Sequence, residues 1–185
     1  VPASTSASDH DAASANPHET AARDAHTHTP GFHVMFHSPQ IPGNTGNAIR
    51  LAAITGVRLH LVEPLGFTFE DAHLRRAGLD YHDLAVMTTH PDFDAALTAL
   101  PDSRVFAFTA RGARRYDEID YRPGDVLLFG CEATGLPQQA LDHERITSTV
   151  RLPMQPGRRS LNLANAASIA TFEAWRQHGF AGADD

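Results

Sequence analysis

The sequence predicts an α/β protein: a mostly parallel sheet with helices on both faces. Three observations predict it. Strand-like apolar runs alternate with helical stretches from residue 32 onward. The clearest runs, Arg104–Thr109 and Asp125–Phe129, are continuously apolar inside rather than alternating, as strands covered on both faces are. Three loops rich in Gly, Asn and Pro each follow such a run and lead into a helical one, which is how α/β enzymes gather a site at one end of a sheet.

Taken in order, Phe32–His37 reads as a first strand, closed by Ser38-Pro39 and Pro42-Gly43. Asn44 is of the type that caps a helix, here one running to about Thr55 with Gly56 ending it. Arg58–Val62 is a second strand, stopped by Glu63-Pro64, and a short helix follows near Asp71–Ala77. Leu84–Met87 reads as a strand and Phe93–Leu100 as a helix; Arg104–Thr109, Asp125–Phe129 and Ile146–Leu152 are further strands. The last helix runs from about Leu161 to His178, with Leu163, Ala167, Ala170, Ala174 and Trp175 at helical spacing. A stripe of small residues admits another element closely, either the chain's own sheet or a second subunit. Both stay open.

The 185 residues suffice for one full core and not for two ordinary domains. Residues 1–31 stand apart: they are mostly Ala, Ser, Thr, His, Asp and Pro, with Val1 the only large aliphatic side chain and no aromatic one. Such a stretch buries too little to offset its ordering entropy, so the reading is a disordered tail, 1–31, before a domain spanning 32–185. The tail lacks the basic start and apolar stretch of a secretory signal. No apolar run approaches the roughly 20 residues of a membrane span. Cys131 is the single cysteine, which fits a reducing compartment. The expectation is a soluble, cytoplasmic protein that does not engage a membrane.

The net charge of −7 argues weakly against nucleic acid. Four acids and one arginine fall in the tail, leaving the rest at −4, and every base is arginine, with no lysine. The clusters Arg75/Arg76, Arg111/Arg114/Arg115 and Arg158/Arg159 are solvated charge or, since guanidinium suits bidentate contacts, phosphate-binding groups.

The first loop, Pro42–Asn47 ahead of Arg50, has the build of a phosphate cradle. It lacks G-x-G-x-x-G, and a chain without lysine has no Walker motif. Asn44, Asn47 and Arg50 remain, about one turn apart; Asn44 is a simple cap or a site residue, and Arg50, set among Ile49, Leu51, Ala52, Ala53 and Ile54, requires a partner. The second loop, Phe129–Pro137, carries Glu132 between Gly130 and Gly135, as a cap, an ion pair or a site residue. Cys131 beside it has no activating base in the sequence signature. The third loop, Leu152–Ala166, places Ser160 and Asn162 where a helix begins. Of 12 histidines four lie in the tail, and no helical H-x-x-x-H pair exists, so no metal is expected.

Together these loops resemble the three motifs of the SPOUT-class RNA methyltransferases. The nearest likeness is to the small single-domain, TrmL-like family that 2′-O-methylates the wobble nucleotide of leucine tRNAs. It rests on Pro42 with Asn44-Thr45-Gly46-Asn47 and Arg50; on Glu63-Pro64 and Arg75–His82; on Phe129-Gly130, Glu132 and Gly135-Leu136-Pro137; and on Pro153-Met154, Arg159-Ser160, Asn162-Leu163, Asn165-Ala166 and Glu173-Ala174-Trp175. It spans about Phe32 to Phe180. The resemblance implies a C-terminal deep trefoil knot, a feature topology rules alone exclude. It implies S-adenosylmethionine as cofactor, tRNA as partner, and a homodimer whose second subunit completes the RNA site. Carried over by position, the cofactor would be met by Phe108, Thr109, Gly130, Leu152, Met154, Ser160 and Leu161. The reactive set would be Asn44, Arg50, Glu132, Ser160 and Asn162, with Arg158 and Arg159 near the RNA. The implied target is cytidine or a modified uridine at position 34.

The sequence departs from the family in three places. Cys131-Glu132-Ala133-Thr134 stands where Pro-Glu-Thr-Arg is usual, Phe172 replaces a tyrosine, and Arg158-Arg159-Ser160 replaces Ser-Arg-Ser, adding an arginine. The family assigns Arg50's counterpart as general base. Neutralising a free guanidine at pH 7 costs about 9 kcal/mol, so Arg50 is read instead as a phosphate clamp that stabilises the developing oxyanion. Two rival readings remain: a nucleotide- or phosphate-binding module without chemistry, resting on the first loop alone, and an RNA-binding adaptor, which the acidic body disfavours.

Overall fold

The computed structural model describes residues 31–69, 87–158 and 160–183. The expected helix at Asp71–Ala77, the Leu84–Val86 part of the expected strand, and Arg159 lie outside them. The described residues form β1 (His33–His37), α1 (Pro42–Thr55), β2 (Arg58–Val62), β3 (Met87–His90), α2 (Phe93–Thr98), β4 (Val105–Phe108), β5 (Arg114–Arg115), a 3-10 turn at Tyr116–Glu118, β6 (Val126–Phe129), α3 (Gln138–Leu141), β7 (Ile146–Arg151) and α4 (Leu163–Gln177). The strands make one seven-stranded sheet in the order β3-β2-β1-β6-β4-β7-β5, every pairing parallel. The expected strands and long helices are present within a few residues of their expected ends. The two-residue β5 and the short α3 were not expected, being too short to show a period.

Both faces of the sheet are buried, which explains the continuous apolar runs. On one face Val34, Phe36, Phe106, Leu127 and Phe129 meet α1 and α4; on the other Met35, Val105, Ala107, Val126 and Leu128 meet α2 and α3. Gly56 ends α1 with φ 72 and donates its N–H to Ala52 O, as expected of a left-handed cap.

The alanine stripe of α4 resolves inward. Leu163, Ala167, Ala170 and Ala174 belong to the same core cluster as Ile49 and Ala52 of α1. Their small side chains let α4 lie close on the chain's own α1 and sheet, so they are not a subunit contact. The outward face of α4 carries Ile169 and Phe172 instead, about 40% and 42% exposed.

Candidate active site

The C-terminal ends of β1, β4, β6 and β7 lie side by side where the strand order jumps, the position at which open α/β sheets bind ligands. Loop one leaves β1 and enters α1 through Ile41, whose side chain makes no cap, and Pro42 in the first turn. Asn44 is therefore not the cap its residue type suggested. It sits inside the first turn, 5% exposed, with its side chain turned to the other two loops.

Glu132, in the loop after β6, does the work a cap would do. Its carboxylate accepts the backbone N–H groups of Gln40 at 2.8 Å and Ile41 at 3.2 Å, and Asn44 Nδ2 at 2.9 Å. Negative charge at the start of α1 also suits the helix dipole. Asn44 Oδ1 in turn accepts Asn162 Nδ2 at 2.7 Å. Asn162 is the N-cap of α4, its Oδ1 accepting Asn165 N at 3.2 Å. The carboxylate has no proton to offer, so it orients both amides in one direction. One chain of hydrogen bonds, Glu132–Asn44–Asn162, thus ties all three loops together.

The second loop is a tight turn. Gly135 has φ 72 and donates to Cys131 O at 2.8 Å. A Cβ on Gly130 would fall onto the backbone of Gly135 and Leu136, closer than real atoms approach. The glycine is thus required by the loop's own closure, whereas a glycine beside a cofactor is expected for ligand approach.

Between the loops lies a cavity of about 420 Å³. The rings of Phe108 and Phe129 stack against one another with centroids 4.6 Å apart and planes at 21°, and both line it. All seven residues expected around a cofactor, Phe108, Thr109, Gly130, Leu152, Met154, Ser160 and Leu161, line this cavity, as do Asn44, Glu132, Ser160 and Asn162 of the reactive set. Among the described residues that line it, Glu132 is the only charged side chain. Cys131 lines it as well, with no histidine among the described lining residues to activate it.

Arg50 does not join them. It is exposed, on the outward side of α1 with Asn47 and Ile54, away from the cavity of its own chain. The sequence placed it one turn beyond Asn47 without showing that Asn44 faces inward while these residues face outward. Arg158 is exposed within loop three. Sequence reasoning missed Ile41, Phe129 and Leu136 as wall residues. Phe129 carried a signal: β6 and β4 pair in register Phe108↔Phe129, so two strand-end aromatics would share a face.

Fold and site define an α/β protein with a cofactor-sized, aromatic-walled cavity at its topological switch point. The chain belongs to the SpoU rRNA methylase family, which matches residues 31–172. It is 52% identical over 152 residues to the tRNA (cytidine(34)-2'-O)-methyltransferase of Methylovorus glucosotrophus, covering 82% of this chain and 99% of that one. A solved structure concerned with the 2-OH methylation of C/U34 on tRNA is 46% identical, covers 80% of this chain and 96% of its own, and has a TM-score of 0.74. The SpoU methyltransferase AviRb from Streptomyces viridochromogenes, solved with AdoMet, has a TM-score of 0.70 at 25% identity, covering 81% of this chain and 58% of its own. The fold is that of the SPOUT methyltransferases. No helix among the described residues is long and apolar enough to cross a membrane.

Proposed function

We propose that the protein methylates the 2′-oxygen of the wobble nucleotide of tRNA from S-adenosylmethionine, with cytidine or a modified uridine at position 34 of leucine tRNAs as its target. One observation carries the reading: loops from three distant parts of the chain are bonded together, Glu132 to Asn44 to Asn162, around one cavity. A module that only bound phosphate would need the first loop alone.

The cavity suits the cofactor. About 420 Å³ is the size of a small-molecule site. Phe108, Phe129, Leu152 and Met154 offer apolar walls to the adenine, Thr109 and Ser160 offer hydroxyls, and the negative side chain of Glu132 suits a cation. When bound, the cofactor supplies an electrophilic methyl group on a sulfonium. The chain must hold it, align the acceptor ribose and help the hydroxyl proton leave. Glu132 is a positioning residue, since its oxygens are engaged by three N–H donors. Arg50 clamps the acceptor's phosphate and stabilises the developing oxyanion.

Arg50 stands outside its own cavity, so the reading includes a homodimer in which it serves the other subunit's site. The outward sides of α1 and α4, with Ile54, Ile169 and Phe172 exposed, are the faces a two-fold contact would cover. The C-terminal trefoil knot belongs to the same reading, supported by the likeness to the SPOUT methyltransferases. So do the extent of the domain, 32–185, the tail, 1–31, and a cytoplasmic location, where tRNA is.

Labelled methyl transfer to total tRNA, followed by mapping of the modified ribose, tests the activity. Methylation of position 34 in leucine tRNAs is expected. Thermal stabilisation by S-adenosylhomocysteine tests the cofactor site: ligand at 100 times its Kd adds about 2.7 kcal/mol. No stabilisation at millimolar ligand would leave the phosphate-binding module in its place.

A further inference from the structure

The charge around the cavity is divided. Among the described residues its wall holds one charged side chain, Glu132, and no cation. The described arginines that can hold a polyanionic substrate are therefore at the rim, and one is available there only if the fold has not used it.

Most described arginines are used. Arg104 binds Asp125 through Nε at 2.8 Å and Nη2 at 2.6 Å; Arg115 binds Asp117 and Arg176 binds Glu173. Arg145 binds the carbonyl of Leu100, and Arg151 those of Gly112 and Ala113. The guanidinium groups of Arg58, Arg111 and Arg158 make no hydrogen bond or ion pair with the described residues. Arg58 opens β2 at the N-terminal edge of the sheet, opposite the site. Arg111 and Arg158 are at the site. Arg111 directly follows Thr109 and Ala110, which line the cavity, and Arg158 lies two residues before Ser160, which also lines it. Both are exposed. The segment bearing Arg111 is also held in place: Gly112 N bonds to Thr109 O at 3.1 Å, Arg151 grips the Gly112 and Ala113 carbonyls, and a Cβ at Gly112 would strike the backbone of Val150. A guanidinium presented from a braced turn is pre-organised for phosphate.

The structure assigns to Arg111, together with Arg158, a grip on the RNA phosphates that flank the methylated nucleotide, from two loops at the cavity mouth. Arg111 is then a substrate-positioning residue with no part in holding the cofactor. This rests on the tRNA methyltransferase reading.

The test uses the full chain, total tRNA and S-adenosylhomocysteine, with Arg111→Ala, Arg111→Lys and Arg58→Ala variants. Arg111→Ala should raise the tRNA Kd and KM about tenfold, as expected for loss of a charge-assisted bond, with kcat nearly kept. The slope of log K against log salt should shrink by about 0.7, one phosphate of a single strand. Arg111→Lys should recover the slope and part of the affinity, and Arg58→Ala should change neither. Affinity for S-adenosylhomocysteine should be that of the wild type in all three. Unchanged tRNA affinity and slope in Arg111→Ala would overturn the assignment. So would weakened S-adenosylhomocysteine binding, which would give Arg111 to the cofactor's carboxylate, or an equal loss in Arg58→Ala, which would reduce the effect to net charge. If the wild type itself neither binds nor methylates tRNA, the parent reading fails, and that is seen before any variant is compared.

Discussion

Glu132 and Asn44, 88 residues apart in sequence, share a 2.9 Å hydrogen bond that joins the loop after β6 to the first turn of α1. The same carboxylate receives the N–H groups of Gln40 and Ile41. A single side chain thereby satisfies the start of a long helix and aims an amide at Asn162. Removing it takes away the cap and the alignment together.

Glu132→Gln has one acceptor oxygen in place of two and brings an NH₂ group toward donors. At least one of the three bonds is lost and a donor faces a donor. Stability should fall by about 1–3 kcal/mol in urea unfolding, and methyl transfer should fall by about 100-fold or more, the scale of a misaligned site. Full activity in this variant would mean that the chain of bonds is not required for alignment.

How legible was this in the sequence? The loop motifs pointed to residues that line a single cavity, because residue type and spacing at strand ends are local properties. Asn44 as a cap failed for a non-local reason. The donors at the α1 start are met by Glu132 from a loop far along the chain, which left Asn44 free to reach Asn162. The alanine stripe was left open for a different reason: small residues report that something approaches closely, not whose surface it is, and here it is the chain's own α1. Arg50 was placed correctly on its helix, but its apolar neighbours in sequence did not show that the side chain faces outward.

Arg50→Lys separates two roles. A titratable base survives in part as lysine, with a lower pH optimum. A bidentate clamp does not, because an ammonium is a point charge without the planar fork. The expected result is a loss of at least tenfold in kcat/KM with no downward shift of the pH optimum. Retained activity with a lowered optimum would return the proton to this residue.

His33 Nδ1 and His60 Nε2 lie 2.9 Å apart, and so do His60 Nδ1 and His90 Nε2, making a chain across β1, β2 and β3. Burial, reinforced by His33, His90 and Arg58, pushes His60 down to about 3. The unfolded chain takes up this proton near the ordinary 6.5, so the neutral ring's contribution is complete above that pH. It drains away as pH falls toward 3. His60→Gln keeps a donor and an acceptor for the two neighbours without titrating. The slope of unfolding free energy against pH between 6 and 4.5 should decrease by about 1.4 kcal/mol per unit. An unchanged slope would show that acid sensitivity arises elsewhere.

The faces of α1 and α4 make opposite demands on substitution, and this bears on assembly. Ala170 is fully buried against α1 and the sheet, whereas Phe172, two positions on, is 42% exposed beside Trp175, with ring centroids 5.7 Å apart. Ala170→Phe adds volume to a filled core and should overpack it, destabilising by about 1–3 kcal/mol or more. Phe172→Glu changes no buried contact of comparable extent, so the chain should stay folded and bind S-adenosylhomocysteine. In a dimer closed through Ile54, Ile169 and Phe172 the same change buries a charge at a two-fold contact, where it meets its own copy. Sedimentation at micromolar concentration should therefore give a dimer for the wild type and a folded monomer for Phe172→Glu. The monomer should have lost methyl transfer, since Arg50 would no longer reach a second cavity. A dimeric Phe172→Glu would move the contact to another face, and a wild type that sediments as a monomer would leave Arg50 without a site to serve.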